Sequence, residues 1–235
     1  MVYFRNLITN VLIMSLKSYL FGVLTLMFTQ ELFSQIRVID YYRLLSSYDD
    51  DIKHHTVFME KGHWFSKTKD ASKVKVFIDN ASRFMEIRDK EIGGAFIMQV
   101  SIFEDIDGEV YLGLVKNHYD VFLHGEIHIL KQRNGRWNDV TKEVMPQLSY
   151  ADFFKDEYKS DNSSIQHHLE FGFQLPVSGQ DAKAIMDTQN LTERCAQKDE
   201  TVKDFCTELD LVSFSMISLK WIPERAVFEI GDKFQ

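Results

Sequence analysis

One stretch, Ala95 to Lys131, constrains this chain more than any other: AFIMQVSIFEDIDGEVYLGLVKNHYDVFLHGEIHILK. Three apolar runs are separated by turn-like segments, and Asp105-Ile106-Asp107-Gly108 carries a strong hairpin signal. Phe96, Met98, Val100 and Ile102 share one face of the first run. Ile97, Gln99, Ser101 and Phe103 share the other, which is only half polar, so both faces are expected to be at least partly covered. Val110 to Val115 should pair back across the turn, placing Leu112 and Leu114 against the Phe96 face. Asn117 to Gly125 reads as a broad loop and Glu126 to Lys131 as the next strand.

The flanks extend this pattern. Val74 to Asp79 alternates, with Val74, Val76 and Ile78 on one face and Lys75 and Asp79 on the other, Phe77 between them. Arg83 to Ile87 returns as a second strand, and Gly93-Gly94 marks a break. Asn134-Gly135 is the best two-residue turn signal, and Asp139 to Glu143 reads as the capped start of a short helix that stops near Pro146. Upstream, Ile36 to Ser47 recurs at helical spacing, and Asp49-Asp50-Asp51 after it reads as a solvated loop. His54 to Ala71 looks polar and irregular. Downstream, residues 148–164 read as a linking segment, and Leu169, Phe171, Phe173 and Leu175 alternate up to Pro176. Asp181 to Asp204 reads as polar and partly helical, and Leu211 to Trp221 as a long strand returning through Glu224-Arg225 to Ala226–Ile230. The expected fold is α+β: an antiparallel β-sheet of meander hairpins with an N-terminal helix packed on it.

The front end carries a compartment signal. Leu20 to Phe28 is an uncharged apolar run preceded by Lys17, and Ser34 offers a small residue before a cut. The run is too short for a membrane span and polar Thr29, Gln30 and Glu31 follow it. Residues 1–34 therefore read as a secretory signal peptide, cleaved between Ser34 and Gln35, leaving no stable transmembrane span. Residues 35–235 read as a single α+β domain with room for two β-meander halves, 35–147 and 148–235. The expected location is secreted or periplasmic. Removing residues 1–34, which carry Arg5, Lys17 and Glu31, takes the formal charge from −8 to −9. Such a surface is repelled by nucleic acid and by anionic membrane. The partner classes left are an envelope protein or a small-molecule ligand.

Candidate chemistry is sparse. His118, His124 and His128, with Asp120 and Glu126 among them, are the weak candidates for a metal site. The competing reading is a polar strand edge with surface histidines. The adjacent pairs His54-His55 and His167-His168 point to opposite sides of a strand and read as boundary residues. Asp105, Asp107 and Glu109 resemble part of a calcium loop, but the rest of that loop is missing and a hairpin turn explains them. Cys195 and Cys206 are the only cysteines, an even count that in an exported chain points to one disulfide. The sequence holds neither a Gly-x-Ser-x-Gly elbow nor a phosphate-binding glycine loop. No cofactor is expected, and no residue is assigned a catalytic role.

The signal segment ending Phe33-Ser34-Gln35 resembles those of exported proteins of the Bacteroidota. Asn134-Gly135-Arg136-Trp137-Asn138-Asp139-Val140-Thr141 is similar to a phrase of uncharacterised secreted or envelope proteins of that group. The phrase also resembles the end of a repeat in integrin-type propellers, but the calcium loop is absent and residues 35–235 are too few for a full propeller. The resemblance carries over no catalytic residue. The expected function is that of an exported, non-enzymatic envelope protein that binds a protein or other partner. A secreted hydrolase with convergent carboxylates and a small-molecule binding module are the alternatives.

Overall fold

The computed structural model describes residues 37–68, 72–90, 95–119, 123–154, 170–177 and 181–235. The signal segment with its cut at Ser34, the Gly93-Gly94 break, Asp120, and residues 155–169 with the His167-His168 pair lie outside them. The described elements all belong to one packed unit, Arg37–Gln235.

The chain starts with α1 (Val38–Leu44), which runs on as a 3₁₀ turn over Leu45–Ser47, and then α2 (Asp50–His54). Eight strands follow: β1 (Thr56–Glu60), β2 (His63–Lys67), β3 (Lys73–Asp79), β4 (Phe84–Asp89), β5 (Ala95–Glu104), β6 (Val110–Tyr119), β7 (Leu123–Arg133) and β8 (Arg136–Asp139). They form one antiparallel sheet in sequence order. A short helix α3 (Thr141–Val144) follows β8, where the sequence places a capped helix start. The second sheet holds β9 (Gly172–Gln174), β10 (Asp181–Ile185), β11 (Met216–Ile222) and β12 (Val227–Phe234), in the order β12-β11-β10-β9. Between β10 and β11 lie α4 (Thr188–Ala196) and α5 (Lys203–Leu209), joined by a Cys195–Cys206 disulfide with Cα atoms 5.7 Å apart. The fold is thus α+β, with two antiparallel sheets and an N-terminal helix on the larger one.

The alternation in β5 decides which layer goes where. Met98 and Val100 are fully buried on the face that meets Val38, Ile39, Tyr42 and Leu45 of the N-terminal helical segment. Val100 sits opposite Leu114 and Ile102 opposite Leu112, as the period-two pattern requires. The other face of β5 meets the second sheet, with Phe103 in a cluster with Tyr111, Trp221 and Phe228. The Trp221 indole donates to the Glu104 carbonyl at 2.8 Å, so the buried ring loses no hydrogen bond.

Two buried amides on this second face stitch the sheets together. Asn117 Nδ2 donates to the Phe173 carbonyl at 2.6 Å and its Oδ1 accepts from the Phe173 amide at 3.1 Å. Gln99 Oε1 accepts from the Leu175 amide at 2.8 Å. Asn117 therefore serves β9 as a neighbouring strand would. The approach is close enough to require glycine: a Cβ on Gly125 would lie 2.0 Å from Asn117 Oδ1 and 2.9 Å from the Gly172 Cα.

Four local expectations are corrected. The irregular segment from His54 to Ala71 contains the β1–β2 hairpin, turned by Lys61 and Gly62 with φ of 50° and 81°. The broad loop expected from Asn117 to Gly125 is mostly strand, because β6 runs to Tyr119 and β7 starts at Leu123. Asp181–Ile185 is a strand whose Ala182 and Ala184 are buried; small residues hid the alternation. The long strand expected from Leu211 starts at Met216, and Val212 makes only an isolated bridge to Phe154.

Candidate functional site

The three histidines do not converge. His118 and His124 are direct cross-strand partners on β6 and β7, with rings stacked at 5.3 Å and 13°. Phe96 lies 4.9 Å from His118, and His55 stacks on Phe96 at 5.3 Å, so four rings form a column on the helix-covered face. Stacked imidazoles aim their nitrogens along parallel planes, not at one point. His128 is four residues further along β7 than His124, about 13 Å away at strand rise, and sits opposite Leu114. Among the described residues no group of three or more His, Cys, Asp or Glu side chains is placed to hold a metal.

His128 instead joins a charged network that ties α2 to the sheet. Its Nδ1 lies 2.8 Å from Asp139 Oδ2, and the Tyr48 hydroxyl donates to the same oxygen at 3.1 Å. Asp139 Oδ1 accepts from the Thr141 amide at 2.9 Å and the Thr141 hydroxyl at 2.5 Å. Burial pushes Asp139 up, but the hydrogen bonds from Thr141, His128 and Tyr48 outweigh it and bring the carboxyl down to about 2. Burial, reinforced by the Asp139 charge, pushes Tyr48 up to about 12. Beside them Lys116 Nζ bonds Asp49 Oδ2 at 3.0 Å and Asp51 Oδ2 at 3.1 Å. Burial opposes the Lys116 charge, and its bonds to both aspartates raise its pKa on balance. Asp49 also accepts from the Asp51 amide at 2.9 Å, capping α2. The Asp49-Asp50-Asp51 run is therefore not the solvated loop expected from the sequence. Two of its carboxylates hold a lysine of the central sheet.

The Asp139–His128 pair has the orientation of a general-base dyad. Its Nε2 lies 3.6 Å from Glu126 Oε2, so both ring nitrogens face carboxylates. The network is a clamp between layers. The Asp105-Asp107-Glu109 carboxylates serve a turn, as expected: Asp105 Oδ1 accepts from the Asp107 amide at 3.0 Å and the Glu109 amide at 2.8 Å. An open cleft of about 310 Å³ beside α4 is lined by Thr188, Thr192, Leu209, Val212 and Phe214, among others, and none of its lining side chains is titratable.

The most unusual surface follows from sheet width. Eight strands span roughly 34 Å from first to last and four span roughly 14 Å, at about 4.8 Å per strand. The second sheet packs on Phe84 of β4, Phe103 of β5, Tyr111 and Val115 of β6 and Ile129 of β7. None of the described residues of β1, β2 or β3 joins that core. Pairing of Phe58 with Phe65, Phe65 with Lys75, and Lys67 with Lys73 puts these side chains, with Phe77, on a face that, among the described residues, the second sheet does not cover. Phe77 is 52% exposed. Phe58 and Phe65 have ring centroids 6.2 Å apart, and Lys73 Nζ lies 3.9 Å from the Phe65 centroid and 5.6 Å from that of Phe58. Lys73 also pairs with Glu60. Among the described residues, no ion pair involves Lys67 or Lys75. Sequence reading missed this site, although Phe77 on the polar side of Val74–Asp79 was its signal.

Among the described residues no helix is long and apolar enough to cross a membrane. No family model and no curated protein matches the sequence. Among solved structures, the chain has a weak resemblance to a domain of an uncharacterized protein from Porphyromonas gingivalis W83, a Bacteroidota species. The TM-score is 0.47 and the identity 12%, over 76% of this chain and 79% of that one.

Proposed function

We propose that this is an exported, non-enzymatic envelope protein that binds a partner through the uncovered aromatic and lysine face of β1–β3. The signal-like segment of residues 1–34 supports export. The observation that carries the binding reading is the exposure of Phe77, on the same sheet face as the Phe58–Phe65 pair, where no described residue of β1–β3 joins the core under the second sheet. An exposed phenylalanine on the same face as two part-buried ones costs solvation free energy that a partner would recover. The His128 network and the cleft beside α4 supply no comparable case for catalysis or for a small-molecule site.

The test has two arms. Mass spectrometry of the protein from its native cells should give a mature chain starting at Gln35, in the envelope or secreted fraction. A photo-crosslinking residue at Phe77 should yield one discrete adduct in those cells. The same residue at Ile106, which is 70% exposed in a turn, serves as the control and should yield none. Identical adduct patterns at the two sites would overturn the binding reading.

A further inference from the structure

We infer that the partner is a polypeptide segment of alternating acidic and apolar residues, which adds as a strand to the open edge of β1. The inference rests on the partner-binding reading above and names the chemistry of that partner.

The charge pattern comes first. Lys67 and Lys73 are directly opposite each other across β2 and β3, and Lys75 is two residues along the same face. Like charges in directly opposed positions destabilise a sheet. Glu60 answers Lys73, and among the described residues no carboxylate pairs with Lys67 or Lys75. The face therefore concentrates cations in a chain of net charge −8. An anionic partner removes that repulsion.

The edge decides which class of anion. Among the described residues β1 is the outermost strand of the eight-stranded sheet, with no strand on its other side. Its hairpin with β2 closes on the Glu60–His63 pair around a two-residue turn, so Thr56, Phe58 and Glu60 are the hydrogen-bonded positions. By the antiparallel alternation, the N–H and C=O groups of Val57 and Met59 point outward. Polysaccharides and lipids have no backbone to match that spacing, whereas a strand does. Alternate side chains of an added strand would lie beside Thr56 and Phe58. From there a carboxylate reaches Lys67 across the short Thr56 side chain, its direct neighbour on β2. The other side chains of the added strand would lie beside Val57 and Met59, and Met59 is 56% exposed. Hence one side of the partner strand is acidic and the other apolar.

The probe is a fluorescent ten-residue peptide of alternating glutamate and valine, titrated into the protein. Its binding should weaken with added salt. A lysine–valine peptide should not bind. Lys67→Glu should weaken the glutamate–valine peptide at least tenfold, and Lys67→Gln should give a smaller loss. Both substitutions are at an exposed position, and thermal melting confirms that each variant folds. Methylating alternate backbone nitrogens of the peptide should abolish binding, because it removes the pairing without touching the protein. Equal binding by the methylated peptide, or by Lys67→Glu, overturns the inference, as does tighter binding of polygalacturonate than of the peptide. A Phe77 adduct that resists protease would leave the partner-binding reading standing and remove the strand partner. Absence of any Phe77 adduct removes both.

Discussion

Asn117→Ala tests the stitch between the two sheets. Asn117 is 4% exposed and satisfies both the N–H and the C=O of Phe173. Truncation leaves two backbone groups without partners in a part-buried site. Each orphaned group costs about 1–3 kcal/mol, and partial exposure of Phe173 favours the low end, so the loss should be about 2–3 kcal/mol. That is a large fraction of the roughly 5–15 kcal/mol that holds a domain together. Urea denaturation followed by tryptophan fluorescence measures it, and hydrogen exchange should show faster exchange at the Phe173 amide. Asn138→Ala is the control: its exposed side chain bonds only the Arg136 carbonyl, and the loss should be about 0.5 kcal/mol or less. Asn117→Asp adds a sign test. Its carboxylate would still accept from the Phe173 amide but would face the Phe173 carbonyl without a proton. The charged form is disfavoured in the fold, so the folded pKa rises above the ordinary value of about 3.9. Stability relative to wild type should then be best below about pH 4 and fall as the pH rises. An Asn117→Ala loss under about 0.5 kcal/mol, or an Asn117→Asp cost that does not change between pH 3 and 7, would refute the stitch.

The pKa of Asp139 falls from 3.8 to about 2 on folding, so it contributes stability above about pH 4 that is lost as the pH falls toward 2. The shift has an upper bound of about 2.5 kcal/mol, and screening of this carboxylate, 38% exposed, reduces it to about 1 kcal/mol. Asp139→Asn should differ from wild type by that amount at pH 6 and converge with it near pH 2, as urea melts across that range will show. Val100→Asp places a charge at a position with no exposure, beside Met85 and Leu114, and should leave no cooperative unfolding transition. His128→Ala should cost only about 1 kcal/mol, because it removes one partly exposed bond to Asp139; a loss equal to that of Val100→Asp would contradict the core assignment. Replacing Cys195 and Cys206 together by Ser should cost about 2–3 kcal/mol by denaturation, and no change would show that the bridge adds nothing to the fold.

The parts of the fold with strong local chemistry were legible in the sequence. Asn134-Gly135 turned β7 into β8, and Phe96 to Phe103 gave both the strand and the covering of its second face. The β1–β2 hairpin was not legible because Lys61 takes a positive φ that the sequence signals only when Asn, Asp or Gly stands there. β6 runs four residues past the end its apolar pattern marks, because Lys116, Asn117, His118 and Tyr119 look like loop residues. Lys116 is held by two aspartates of a distant helix and Asn117 by β9, and these partners are invisible along the chain. Nearness in sequence groups His118 and His124 with His128. A strand separates such residues by its own rise, and the register places only the first two together. The uncovered face could not be inferred either, because it depends on the second sheet having half as many strands as the first.

Polarity alone does not distinguish covered from uncovered strands in this sheet; the kind of polar group does. On the face toward the second sheet, β5 carries Gln99 and β6 carries Asn117, and both are buried. β3 carries Lys73 and Lys75 on the same face, and both stay exposed. An amide can be buried at small cost once its donor and acceptor find backbone partners, as Asn117 does with Phe173. An ammonium group has no acceptor capacity and keeps its full charge, so burying it without a carboxylate costs several kcal/mol. The lysines therefore set the limit of the second sheet: sliding it one or two strands toward β1 would bury Lys75 with no described carboxylate to pair with it. The phenylalanines beside those lysines cannot then be covered from within the described fold. The same residues that keep the second sheet off β1–β3 leave Phe77 exposed and Phe58 and Phe65 part-buried on a face where, among the described residues, Glu60 answers Lys73 and no carboxylate answers Lys67 or Lys75.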